Sequence, residues 1–130
     1  MPKVFTSKSQ KVGALGESMA TFYLKRRGFV IIERNFTRIC GEIDIVASFK
    51  GKYYFFEVKS VVTRENVTHV TNLVVRPEDN AHPAKLAKLY RTVELYLAEK
   101  RVAAPWQIDL LCIYLDVTRK TARVTRLENI

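Results

Sequence analysis

A mixed α/β fold, with a largely antiparallel central sheet flanked by two helices, is predicted by three features of this 130-residue chain. Two runs rich in Ile, Val, Phe and Tyr, Glu42 to Ser48 and Tyr53 to Val61, alternate in character across a short loop at Lys50-Gly51. Two stretches of helical periodicity, Ala14 to Arg27 and Pro83 to about Lys100, lie on either side of that pair. A further strongly apolar run, Gln107 to Leu115, follows the second helix. The length suits one domain with an ordinary core.

In the first helix Leu15, Met19, Phe22 and Tyr23 form one apolar stripe. Gly28 terminates it. Phe29 to Asn35 reads as a strand leading to the hairpin. Gly51 permits the positive φ that a two-residue hairpin loop needs. That loop pairs Phe49 with Lys52 and, counting outward, Asp44 with Glu57 and Glu42 with Lys59. The Asp44–Glu57 pair falls at a non-hydrogen-bonded position, where Cα atoms approach to roughly 4.5 Å. Alternation places Glu42, Asp44, Glu57 and Lys59 on one face, and Ile43, Ile45, Tyr54, Phe56 and Val58 on the other.

The remainder is read in the same way. Residues 62–80 are polar and read as a mobile loop, with a weak strand signal at Val70 to Val75. Pro83 suits the first turn of the second helix, and Leu86, Leu89, Tyr90, Val93 and Leu97 are expected to face inward. Ala122 to Leu127 reads as an edge strand with Arg123 and Arg126 exposed. The whole chain, 1–130, is one domain with a basic tail over residues 1–12.

Composition bounds the partner. The chain carries 22 Lys and Arg against 13 Asp and Glu, a formal charge of +9, with a sequence pI near 9.8. Such a balance favours a phosphate backbone and makes binding salt-sensitive. No apolar run approaches the ~20 residues of a membrane span, and no basic amphipathic helix offers a clear apolar anchor. Met1 to Lys11 lacks the apolar core of a secretory signal. The two cysteines, Cys40 and Cys112, make no disulfide framework. A reducing cytoplasmic setting and no membrane partner are the expectation.

Glu42-Ile43-Asp44 and Glu57-Val58-Lys59 carry the chemistry. Like charges facing each other destabilise a sheet, and a divalent cation offsets that cost. Mg²⁺ usually takes one or two carboxylates and keeps waters and substrate oxygens. Asp44 and Glu57 therefore suit Mg²⁺ or Mn²⁺, and Lys59 returns to the same face beside the reacting phosphate. The bland alternative is a solvated hairpin face with a Glu42–Lys59 salt bridge. Asp109, between Ile108 and Leu110, reads as a structural salt bridge on the sheet's other face, and Trp106 as a core cap. His69 and His82 read as surface residues. The cations placed to meet DNA are Arg34, Arg38, Arg64, Lys85 and Lys88.

A resemblance adds to this. Gly16-Glu17, Ala20, Leu24, Gly28-Phe29, Ile32, Arg34-Asn35-Phe36, Gly41 to Val46 and Phe55 to Lys59 resemble the YraN-like family of small bacterial proteins. That family is similar to the Holliday-junction resolvase group of the PD-(D/E)XK nucleases. The match is strong from Gly13 to about Val61 and looser from Lys85 to Tyr114. It implies a restriction-endonuclease-like core, metal at Asp44, Glu57 and the Val58 carbonyl, Lys59 assisting the attacking water, and Glu17 completing the acidic cluster. It also implies branched or structured DNA as substrate and a homodimer, since junction-cutting relatives act as symmetric pairs. The chain departs from that pattern at Val61, where relatives commonly carry a basic residue, and at Leu86, where they often carry glutamine. The expectation is a metal-dependent endonuclease acting on DNA; the alternatives are a non-catalytic nucleic-acid-binding module of the same fold and a protein-interaction adaptor.

Overall fold

A computed structural model describes residues 8–63, 83–116 and 118–130. Helix α1 (Lys8–Arg26) is followed by strands β1 (Val30–Arg38), β2 (Gly41–Phe49) and β3 (Lys52–Thr63), helix α2 (Pro83–Glu99), and strands β4 (Trp106–Asp116) and β5 (Thr121–Leu127). The five strands form one sheet in chain order. β1–β2, β2–β3 and β4–β5 are antiparallel. β3 and β4 are parallel, joined across the span that contains α2. The expected mixed α/β sheet with two flanking helices is therefore present. Arg64, His69, His82 and the segment Val70 to Val75 lie outside the described residues.

The sheet is covered on both faces. Ala20 and Leu24 of α1 pack on Ile45, Ala47, Phe56, Leu111 and Ile113. Leu89, Val93 and Tyr96 of α2 pack on Phe36, Ile43, Val46, Phe55 and Ile108. Strand alternation sends successive side chains to the two faces, which is why Phe55 and Phe56, both fully buried, belong to different clusters.

Both helices depart in detail from the sequence expectation. α1 begins at Lys8, six residues ahead of Ala14. Its buried residues are Gly16, Ala20, Thr21 and Leu24, while Leu15, Met19 and Phe22 are exposed. Three of the four stripe residues are thus outer ones and only Tyr23 packs against the core, because small residues at Gly16 and Ala20 let the backbone approach the sheet. In α2, Thr92, Val93 and Tyr96 are buried with Leu89, and Tyr90 is 40% exposed. Tyr96 takes the inward position because its ring meets Phe36 and Phe55 edge-on at 5.0 and 5.4 Å.

Helix α1 ends at Gly28, whose φ of +90° only glycine adopts without strain. The Phe29 N–H donates to the Leu24 carbonyl and the Gly28 N–H to the Lys25 carbonyl, satisfying the last carbonyls of the helix. The hairpin loop is Lys50-Gly51, with Phe49 paired to Lys52 as expected. Both loop residues have positive φ.

Asp109 is fully buried on β4. It accepts from Arg126 Nε at 2.9 Å, Gln107 Nε2 at 2.7 Å and the Asn129 N–H at 3.0 Å. The expected structural salt bridge is present, and Arg126 is drawn over the sheet to supply it instead of standing exposed. Trp106 packs edge-on against Phe55 and Tyr90. Cys112 is buried among apolar neighbours, and burial raises its thiol pKa.

Candidate active site

β1 and β2 pair Arg34 with Ile45 and Phe36 with Ile43; the level between them holds Asn35 and Asp44. Asn35 stands in the left-handed region with φ of 56°, a conformation that asparagine tolerates better than other side-chain-bearing residues. Face alternation breaks here. Ile45 packs under α1, yet Ile43, two residues away, packs against α2.

The other side of β2 opens at the same level. The β2–β3 ladder runs from Phe49–Lys52 to Ile45–Phe56 and stops. A continued ladder would give the Val58 N–H to the Ile43 carbonyl. Instead it donates to Asp44 Oδ2 at 2.8 Å. Asp44 therefore sits where β2 parts from β3, wedged into the opening. The Val58 carbonyl, on the same edge of its strand as the N–H, faces that opening too.

Three further acids converge on this point. Glu17 arrives from α1 through a close contact one residue earlier. A Cβ added to Gly16 would stand 1.7 Å from Ser60 Oγ and 2.9 Å from Ser60 Cβ, so only glycine lets α1 lie this near β3. In the orientation that satisfies both of its amide atoms, Asn35 donates to Glu17 Oε1 at 2.9 Å and to Glu42 Oε1 at 3.1 Å. Glu57 shares the α2 face with Phe55 and meets Lys85 Nζ at 2.7 Å.

Electrostatics follow from this placement. Burial raises the Asp44 pKa to about 7; the Val58 N–H opposes that shift, and Glu17, Glu42 and Glu57 reinforce it. The Asp44 carboxyl thus titrates near neutral pH, in a site that concentrates negative charge.

The arrangement corrects the expected register. Glu42, Asp44, Glu57 and Lys59 do not share one face, and neither Asp44–Glu57 nor Glu42–Lys59 is a ladder pair, because pairing ends at Ile45–Phe56. The acids come from both sides of a parted sheet end, with Glu17 and Glu42 joined through Asn35 and Glu57 turned toward α2. Lys59 lies two residues beyond Glu57, level with Cys112 on β4, and is half-buried.

Two residues with a part in this geometry had no role assigned from sequence, Asn35 and Ser60. An asparagine inside a strand-forming run was the available signal for the first, since asparagine is depleted in strands. Nothing in the sequence marked Ser60 as the partner of Gly16.

The basic residues are differently committed. Arg34 and Lys88 are exposed. Arg38 is held by Glu99 through Nε at 3.1 Å and Nη2 at 2.8 Å, with its guanidinium 4.0 Å from the Phe36 ring centroid. Lys85 is engaged with Glu57.

Among the described residues no group of three or more His, Cys, Asp or Glu side chains is arranged to hold a metal ion. The donor set that remains is Asp44, Glu57 and the Val58 carbonyl. These are hard oxygens of the kind Mg²⁺ accepts while retaining waters and substrate oxygens. The set fits such an ion in chemistry, and Lys85 Nζ already stands on Glu57 as a positive charge. Among the described residues no helix is long and apolar enough to cross a membrane.

The chain matches the model of "Uncharacterised protein family UPF0102" over residues 16–113, a span that runs from the Gly16 contact into β4. A UPF0102 protein of Helicobacter pylori strain J99 is 34% identical over 128 residues, covering 98% of this chain and 97% of its own length. A UPF0102 protein of Campylobacter jejuni strain 81-176 is 38% identical over 105 residues, 81% of this chain and 85% of the relative. A relative from Wolinella succinogenes is 32% identical over 105 residues, 81% and 87% of the two chains.

Proposed function

The chain belongs to the UPF0102 (YraN) family, and we propose that it is a metal-dependent phosphodiesterase acting on DNA, built on a restriction-endonuclease-like PD-(D/E)XK core. The observation that carries this reading is the Asp44 carboxylate in the opening between β2 and β3. It is fixed on the Val58 N–H at 2.8 Å and raised to about pKa 7 by burial and by Glu17, Glu42 and Glu57. Folding tolerates such a concentration of acids where a cation is to be received.

Asp44, Glu57 and the Val58 carbonyl would hold Mg²⁺ or Mn²⁺, which when bound supplies Lewis acidity and neutralises charge on a phosphate. The protein's own groups do the remaining work. Val58 N–H fixes the Asp44 carboxylate. Asn35 holds Glu17 against Glu42, so the helix-borne acid keeps its place beside the strand-borne ones. Lys59 places an ammonium at the reacting phosphate and stabilises charge that develops during in-line attack. Exposed Arg34 and Lys88, in a chain of net charge +9, supply phosphate contacts that orient the backbone without reading bases.

The test is a cleavage assay on branched, single-stranded and duplex DNA with Mg²⁺ and with Mn²⁺, comparing the wild type with Asp44→Asn. Metal-dependent cleavage that Asp44→Asn abolishes is expected. If the folded wild type cuts none of these substrates with either metal, catalysis is refuted. One observation favours a second reading, a non-catalytic nucleic-acid-binding module: Lys85 Nζ meets Glu57 at 2.7 Å and supplies that acid with a cation of the chain's own. In that case DNA binding survives with no metal response.

A further inference from the structure

Helix α1 turns three large apolar residues outward. Leu15, Met19 and Phe22 are 46%, 36% and 60% exposed, and their spacing places them on one stripe of the helix. Met19 and Phe22 form one wall of an open groove of about 420 Å³, whose opposite wall is Ala122, Arg123 and Val124 of β5. That volume lies within the roughly 300–1,000 Å³ of ordinary ligand sites.

Arginines line this groove. The Arg26 guanidinium lies 5.6 Å from the Phe22 ring centroid, and the Arg27 guanidinium 3.6 Å from that of Tyr23. Arg123 lies 5.9 Å from the Tyr114 ring centroid. Among the described residues none of Arg26, Arg27 and Arg123 has a carboxylate partner, and no acid lines the groove. The surface thus combines an exposed ring, apolar walls and uncompensated positive charge.

Charge decides between occupants. A second copy of this chain docked here through the same groove would bring like-charged arginines together, a costly arrangement in a dry interface. Duplex DNA would satisfy the arginines but hides the faces of its bases, leaving Phe22 without a partner. A single strand offers both phosphates for the guanidiniums and open base faces for the ring.

We propose that the groove between α1 and β5 binds a single-stranded nucleic acid. The inference rests on the nuclease reading for its purpose and makes the substrate more specific: the site is fed by, or acts beside, a single-stranded segment. Phe22 and Glu17 lie five residues apart on α1, about 7.5 Å along its axis and about 140° around it, so the groove and the acidic site flank the same helix on different sides.

The experiment is fluorescence anisotropy of a labelled oligothymidine, without metal, at several salt concentrations. Wild type, Phe22→Ala and Arg26→Ala with Arg123→Ala are compared, and sedimentation of each reports its oligomeric state. Phe22→Ala should weaken binding about tenfold with the salt slope unchanged, because stacking releases no counterions. The arginine double variant should flatten the slope by about 1.4, at about 0.7 per phosphate contact on a single strand. The changed positions are exposed, and circular dichroism verifies that each variant is folded.

Absence of oligothymidine binding by the wild type, or wild-type binding in both variants, overturns the proposal. So does a wild-type dimer that Phe22→Ala dissociates, which would make the groove a self-interface. The nuclease reading fails separately: it stands or falls on cleavage and on the metal response of Asp44, neither of which this measurement uses.

Discussion

The Val58 N–H donates to Asp44 Oδ2 at 2.8 Å, where an uninterrupted hairpin would have carried a backbone-to-backbone bond. That exchange wedges a carboxylate into the mouth of two separating strands and gathers Glu17, Glu42 and Glu57 around it.

A pH dependence follows. The Asp44 pKa in the folded chain, about 7, lies above its ordinary value of 3.8. A carboxyl whose folded-state pKa is raised stabilises the fold in its protonated form. Its contribution is complete below about pH 4 and is lost as pH rises through about 7. Asp44→Asn keeps an oxygen for the Val58 N–H and cannot ionise. In metal-free urea unfolding the variant should match the wild type near pH 4 and exceed it near about pH 8. A wild type at least as stable as the variant at the higher pH would show that Asp44 carries no such penalty.

Metal should reverse that penalty. Mg²⁺ or Mn²⁺ binding only the folded chain stabilises it by about 2.7 kcal/mol at a hundred times the Kd. Melting temperatures should rise with millimolar metal in the wild type and stay fixed in Asp44→Asn. Lys85→Ala removes the ammonium that meets Glu57 at 2.7 Å, so its melting temperature should respond to lower metal concentrations than the wild type. Titration calorimetry checks the same order of affinities.

Lys59 is expected to act at the phosphate alone. Lys59→Ala should fold and bind Mn²⁺ much as the wild type does, while cleavage falls on the order of a hundredfold or more, as for loss of one electrostatic stabiliser. Undiminished turnover in the variant would remove Lys59 from the mechanism.

Gly16 is the tightest point between α1 and the sheet. Gly16→Ala drives its methyl group into Ser60, whose Oγ and Cβ lie 1.7 and 2.9 Å from the new atom. The expected cost is about 1–3 kcal/mol of overpacking. Ser60→Gly in the same chain clears both contacts and should restore much of the helix–sheet packing, whereas Ser60→Ala clears only the hydroxyl. Urea midpoints of the three variants check the order, and equal midpoints for Gly16→Ala and the wild type would contradict it.

The sequence alone determined the order of elements, the hairpin about Lys50-Gly51, the register from Phe49–Lys52 to Ile45–Phe56 and the salt-bridged role of Asp109. These are set by local chemistry: β-branched and aromatic alternation, a glycine with positive φ, and a lone acid in an apolar run that must find a partner. Only the tertiary structure decided which stripe of α1 is buried, because the answer depends on how closely Gly16 and Ala20 allow the helix to approach Ser60 and the sheet. It also decided that the acids converge from both faces instead of lining one. A period-two pattern assumes a continuous ladder, whereas the left-handed Asn35 and the Asp44–Val58 bond break it at one level. Pairing across a sheet and packing of a helix against it are non-local contacts, and the side chains that interrupt them show their role only once the strands are brought together.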